Sequence, residues 1–380
     1  MFDPNFLINF LSILAAIGVI FVLVVVHESG HFLAARFFKM QTPVVGLGLP
    51  FFGPTFKLGK IEDIEFRFHP VLLGAYVAIP EMDDESSGDN EEAFDIQLSR
   101  PKQIFPAWQR MIVSFAGPAA NLIFALVLGI FTAFTVGMPD SENASFYVAQ
   151  VNAGATSTVK TALKAGDRLL GINGIASEDS LAFRKRLEQL PERDVVVNLQ
   201  REYADPKLTL CHSELLKTDS AGHLGISLRN DFDYIPVKGT PVIAHLEWGW
   251  KYFSDWFAFC MNSLIYLFGA PFRHEANGPK MSDVHGIILA TSFIAKILQQ
   301  NILSAFQWSA VISIELAIFN LLPILPLDGG HILFQFTEIV SGGRRLIKLR
   351  NYVAQAGLTL ILILAGLVIF NDLRTLLFPG

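Results

Sequence analysis

The sequence predicts a multi-pass α-helical membrane protein of about four transmembrane helices, with a soluble α+β domain inserted between the second and the third. Three observations carry this. Hydrophobic residues fill 52% of the 380 positions and charged residues only 17%, whereas a soluble chain carries about 25% charge to solvate its surface. Four long apolar runs recur along the chain. Between the second and third of them lies a stretch of roughly 85 residues with the mixed composition of a globular domain. The same figures exclude general disorder, which needs low hydrophobicity and high charge. A net charge of −6 gives no basic surface for nucleic acid. Two cysteines, Cys211 and Cys260, make neither a disulfide framework nor a thiolate metal cluster.

The elements follow in order. Residues 6–26, interrupted only by Asn9 and Ser12, span the roughly 30 Å hydrocarbon core at 1.5 Å per residue. The start Met1-Phe2-Asp3-Pro4 lacks basic residues, so region 1–40 reads as a first span and not as a cleaved leader. Region 41–107 holds strand-like alternation over 64–79 and an acidic segment, 81–92, expected to be a solvated loop. The uncharged run 111–138 is the second span, within region 108–140. Region 145–230 is the soluble domain, with strands over 146–151 and 194–199 and a helix over 180–190. In region 240–300, residues 245–268 are aromatic-rich but carry Glu247, Lys251 and Asp255, which predicts an interfacial amphipathic helix. Residues 286–298, with Lys296, lie in or at the membrane. The third span, residues 303–327 in region 301–335, contains Glu315 and Asn320 and ends at Pro323 and Pro326. Residues 352–370, in region 350–372, are the fourth.

Basic residues near span ends set orientation. Arg36, Lys39, Arg100, Lys102, Arg110, Arg344, Arg345, Lys348 and Arg350 all fall on one side of a four-span chain. That side is expected to be cytoplasmic, with the soluble domain and both termini opposite.

At the end of the first span stands His27-Glu28-Ser29-Gly30-His31. Helical i, i+4 spacing puts both imidazoles on one face, where they can share a zinc ion, and sets Glu28 to take a proton from its water. With nine histidines in the chain, chance produces such a pattern in about one chain in a hundred. A glutamate at mid-membrane depth also costs roughly 2.5–3.5 kcal/mol unless it is paired or functional. Catalytic zinc usually has three protein ligands. Asp328 supplies a carboxylate where two prolines break the third span, at the same end as the histidines, with His331 as the rival ligand. Glu315 has no role in this scheme beyond facing a water-filled cleft.

These residues resemble the bacterial site-2 proteases, intramembrane zinc metalloproteases that include the regulator of sigma-E protease. The match runs through the zinc motif at His27–His31, Leu73-Gly74-Ala75-Tyr76-Val77, Gly117-Pro118-Ala119-Ala120-Asn121 and the segment from Asn320 to His331. The resemblance implies that His27, His31 and Asp328 hold Zn²⁺, that Glu28 is the general base and acid, and that Asn320 bonds the backbone of an unwound substrate strand. It further implies a membrane-associated β-segment in which Gly74, Ala75 and Tyr76 contact substrate by strand addition, against the plainer reading of an ordinary hairpin. Residues 162–174, with Gly166-Asp167 and the turn pair Asn173-Gly174, resemble a single PDZ domain, which in this family binds peptide or filters substrates by size.

The departures are Ser29 in place of a common Phe, Ala75 in place of a second Gly, and the missing Gly-Pro pair in 281–286, where Asp283 and His285 read as surface polar residues. His69, beside Pro70, reads as structural or solvated and not as a ligand. The implied activity is cleavage within transmembrane segments of single-pass proteins already trimmed by another protease, such as anti-sigma factors or remnant signal peptides, in the bacterial cytoplasmic membrane. The active site then faces the cytoplasm and the PDZ domain the opposite side, with the lipid bilayer as partner and no nucleic acid. Two other classes compete: a non-catalytic membrane scaffold with a PDZ module and structural zinc, and a metal transporter. The transporter is weakened because the polar residues cluster at one depth, and the scaffold because structural zinc needs no Glu28.

Overall fold

The structure, a computed structural model, describes residues 4–50, 54–72, 74–82, 98–151, 155–177, 183, 194–202, 209–218, 224–235, 237, 239–269, 291, 294–295, 297–298, 302–341 and 347–377. Outside these lie the acidic segment from residue 83 onward, the expected helix 180–190 apart from Phe183, most of 286–298 with Lys296, the segment 281–286 with Asp283 and His285, and Arg344 and Arg345. The chain divides into two compact units, one formed by residues 1–133 and 246–380 and the other by Phe134–His245.

The larger unit begins with α1 (Pro4–Phe37) and a four-stranded sheet of β1 (Val44–Leu47), β2 (Phe56–Ile61), β3 (Ile64–Phe68) and β4 (Ala75–Ala78). It continues with α2 (Ala107–Thr135) and, among the described residues, with α4 (Val242–Gly269), whose first residues belong to the second unit, α5 (Ile302–Asn320), α6 (Asp328–Ser341) and α7 (Ile347–Leu377). Among the described residues, three stretches are long and apolar enough to cross a membrane: Phe10–Phe37, Ala107–Thr135 and Tyr352–Asp372. The expected third span is shorter. Its apolar helix, Ala305–Asn320, stops where the backbone turns into the segment holding Pro323 and Pro326, because proline lacks the amide hydrogen that helix continuation needs. Residues 245–268 lie within the single helix α4, and its Tyr252 and Trp256 pack with Ala125, Leu128, Ala310 and Ile314 of α2 and α5.

The strand-like segment 64–79 divides at Pro70 into two strands that do not pair with each other. The sheet order is β2-β3-β1-β4, with β1 parallel to β3 and antiparallel to β4. Residues 64–79 therefore do not form an ordinary hairpin; the hairpin here joins β2 and β3, whose turn at Glu62-Asp63 is tied to the last turn of α1 by Arg36 (Nη1 to Asp63 Oδ2, 3.0 Å). Among the described residues β4 is an edge strand. His69 is structural: its ring sits between the Thr55 hydroxyl (3.4 Å) and the Tyr76 hydroxyl (3.3 Å). Burial, with the charge of Arg67 adding to it, holds its pKa below the ordinary histidine value.

The smaller unit contains β5 (Met138–Val151), α3 (Ser157–Ala162), β6 (Arg168–Ile172), β7 (Ile175–Ala176), β8 (Asp194–Glu202), β9 (Thr209–Lys217) and β10 (Ile226–Ile235). Their sheet runs β10-β5-β6-β8-β9, with β7 paired to β6. Period-two alternation buries Val195, Val197 and Leu199 in a core with Phe146, Leu169, Ile172 and Phe183. Asn173 and Gly174 both adopt positive φ (47° and 80°), as a two-residue turn between β6 and β7 requires. Buried Asp167 accepts from the Lys164 amide (2.7 Å) and pairs with Arg201 (2.6 Å), which fixes the turn entering β6.

Candidate active site

α1 carries His27 and His31 one turn apart, with Glu28 next to His27; the His27 and His31 Nε2 atoms are 3.2 Å from each other and the rings nearly perpendicular (80°). Two small residues let α2 approach this face. A Cβ on Gly30 would strike the Ala116 carbonyl, and one on Gly117 would strike Nε2 of both histidines. Close helix approach through small residues is the usual packing solution inside a membrane.

Asp328 arrives from about 300 residues away in sequence as the first residue of α6. After α5 ends, the backbone folds into tight turns (Leu327 N to Ile324 O, 2.9 Å; Gly330 N to Leu327 O, 3.0 Å). Gly329 and Gly330 are required there, because a Cβ on either would collide with the backbone of residues 321–325. Two contacts tie α6 to α2: the buried Arg110 with Glu338 (2.5 Å) and Ser114 with Gln335 (3.2 Å). Asp328 Oδ2 consequently lies 3.0 Å from His27 Nε2 and 3.4 Å from His31 Nε2.

The three donor atoms fit a zinc ion on two counts. Nitrogen and oxygen ligands about 2.0–2.2 Å from tetrahedral zinc stand roughly 3.3–3.5 Å apart, close to the 3.0, 3.2 and 3.4 Å separations here. Asp328 Oδ2 is also shielded from water and makes no aligned hydrogen bond, an arrangement costly for a carboxylate unless a cation faces it. His31 Nδ1 is 2.8 Å from the Val113 carbonyl; donating its hydrogen there leaves the Nε2 lone pair for a metal.

Glu28 Oε2 accepts a hydrogen bond from the Val77 amide of β4 (3.1 Å), joining the sheet to the histidine pair. A cavity of about 620 Å³ opens beside these groups, lined by His27, Glu28, His31, Asn320 and Asp328 and by a wall of β4 residues. Ala75 and Tyr76 are in that wall. Gly74, expected to contact substrate, does not line the cavity; its carbonyl accepts from the Gly48 amide (2.8 Å). Asn320 Nδ2 donates to the Leu316 carbonyl of its own helix (3.0 Å) while the residue lines the cavity. His331 also lines the cavity but is not in the converging triad. Glu315 is exposed on α5 and does not line it. Sequence reasoning did not single out the Val77 amide, the Val113 carbonyl or Gln335, and it read Arg110 only as a basic residue near a span end, where the structure has it buried. The two backbone groups leave no mark in a residue string, whereas a buried Arg at the head of an apolar helix did.

A family model for peptidase family M50 matches residues 15–364. The chain belongs to peptidase family M50. These are the site-2 proteases, so the protein is a membrane zinc metalloprotease, a hydrolase of peptide bonds with Zn²⁺ as cofactor. It is 26% identical over 376 residues to the chloroplastic membrane metalloprotease ARASP of Arabidopsis thaliana, covering 97% of this chain and 80% of that one. A protein of Nostoc sp. named as a candidate zinc metalloprotease is 30% identical over 368 residues, covering 95% and 94%. One of Synechocystis sp., similarly named, is 29% identical over 372 residues, covering 97% and 96%. M50 membership thus extends over nearly the whole length of the chain.

Proposed function

We propose that this M50 protein cleaves peptide bonds inside the transmembrane segments of single-pass proteins in the bacterial cytoplasmic membrane, after another protease has trimmed the substrate. The observation that supports it most is the convergence of His27, His31 and Asp328 beside Glu28, next to the edge strand β4 and within one cavity. In this reading His27, His31 and Asp328 hold the zinc. When bound, it supplies a Lewis acid for the scissile carbonyl and lowers the pKa of water. Glu28, its Oε2 steadied by the Val77 amide, takes the water proton on Oε1 and delivers it to the leaving nitrogen as the C–N bond breaks. A substrate helix must open before water can attack, and its freed amides need partners. β4, through the backbone of Ala75 and Tyr76, receives the opened strand by edge addition. Asn320, which lines the same cavity, bonds it as well, and Gly74 supports the start of β4 through the Gly48 amide. The unit Phe134–His245 serves as a PDZ-like module that contacts the substrate outside the bilayer.

The test is cleavage by purified protein in liposomes carrying a single-span substrate, with product ends mapped by mass spectrometry. Cuts within the apolar segment are expected. Cuts confined to the flanking soluble parts would overturn the reading.

Asn320→Leu is expected to slow cleavage without loss of zinc. The defect shrinks when Gly or Pro is placed at the scissile segment, since these lower helix propensity by about 1 and 3 kcal/mol. Equal impairment on helical and weakened substrates would mean that Asn320 only braces its own helix through Leu316.

A further inference from the structure

Asn121 lies on α2, fully buried, and its side chain meets one of the proposed zinc ligands from behind. Its Nδ2 is 3.4 Å from His27 Nδ1, while its Oδ1 is buried with no hydrogen-bond partner. Its backbone carbonyl accepts from the Ser313 hydroxyl of α5 at 2.9 Å, so that turn of α2 is anchored. A buried amide oxygen without a partner costs roughly 1–3 kcal/mol.

A side-chain amide presents a donor and an acceptor of nearly the same shape, exchanged by a half-turn of its terminal group. With nitrogen toward His27, the amide donates to Nδ1 and the ring proton must sit on Nε2, the atom facing Asp328 and His31. With oxygen toward His27, Nδ1–H donates to Oδ1 and the Nε2 lone pair is released toward a metal. The partner of His31 follows the same rule, because its Nδ1 faces the Val113 carbonyl at 2.8 Å. Val113 and Asn121 are eight residues apart on one helix, about 80° of rotation, with Gly117 between them pressed against both rings.

We infer that Asn121 is a positioning residue for the metal centre: its Oδ1 accepts the Nδ1 hydrogen of His27, sets that ring's tautomer and aims Nε2 at the ion. One helix then holds both imidazoles from behind, Val113 through its backbone and Asn121 through its side chain. The inference rests on the assignment of His27 as a zinc ligand.

The test is zinc affinity of the full-length protein in detergent, measured by competition with a chromophoric chelator and accompanied by circular dichroism to check folding. Asn121→Leu, close in size but without an acceptor, is expected to weaken zinc binding by about 10–100-fold, the usual cost of losing such an outer partner. Asn121→Asp can only accept, and is expected to bind zinc as tightly as the parent or more tightly. Unchanged affinity in Asn121→Leu, or an equal loss in Asn121→Asp, would overturn the inference. If the leucine variant does not fold, Asn121→Ala replaces it, removing the acceptor without adding bulk, and is expected to show the same 10–100-fold loss; parent-like affinity there overturns the inference too. His27→Ala separates the two levels. Retained zinc in that variant refutes the ligand assignment itself, whereas lost zinc there with unchanged affinity in Asn121→Leu refutes only the role of Asn121.

Discussion

Replacing Glu28 with Gln is expected to leave zinc at about one ion per chain while peptide-bond cleavage falls roughly 10²–10⁴-fold, the range of a lost general base. Gln keeps the shape and an oxygen that can accept from the Val77 amide, now 3.1 Å from Glu28 Oε2. Strand β4 therefore stays tied to α1, and the three atoms converging beside residue 28 are unchanged. What disappears is the capacity to hold a proton between attack and departure of the amine. The paired measurements are metal content of the purified protein and turnover of a single-span substrate in liposomes. Turnover near the parent value would remove Glu28 from the proton path. Loss of zinc along with activity would mean that the carboxylate had been holding the metal site together.

Asp328→Ala is expected to lower both zinc occupancy and activity. Of the three converging atoms, its Oδ2 is the only anionic one, 3.0 Å and 3.4 Å from the two imidazole nitrogens. Losing an outer partner alone costs zinc sites about 10–100-fold in affinity, so losing a ligand is expected to exceed that. Folding should survive. The substitution removes a buried carboxylate oxygen that makes no aligned hydrogen bond, and it forfeits only the helix-dipole benefit of an acidic residue in the first turn of α6, about 0.3–1 kcal/mol. Chelator competition and thermal unfolding of the metal-free protein check the two halves of this expectation. Full retention of zinc would transfer the third position to another group, and His331, which lines the same cavity, is the first to test.

The sequence by itself determined what depends on near neighbours. The i, i+4 histidines share a face because four residues make about one helical turn, and the structure has them on α1 with Nε2 atoms 3.2 Å apart. Apolar length marked residues 6–26, 111–138 and 352–370, which overlap the helical stretches Phe10–Phe37, Ala107–Thr135 and Tyr352–Asp372, and the Asn173-Gly174 pair marked its own turn through positive φ. Prolines 323 and 326 marked a stop for α5, but the helix ends at Asn320, short of the expected residue 327. Tertiary structure decided the rest. Only packing brings Asp328 rather than His331 to the histidines, through backbone turns that glycines 329 and 330 allow and contacts of α6 with Arg110 and Ser114. Strand alternation over 64–79 could not reveal that β1 inserts between β3 and β4, because period-two patterning specifies faces and not neighbours. The groups that steady Glu28 and His31, the Val77 amide and the Val113 carbonyl, belong to the backbone. Every residue but proline carries both groups, so their use at a site is set by where the chain passes and not by which side chain it bears.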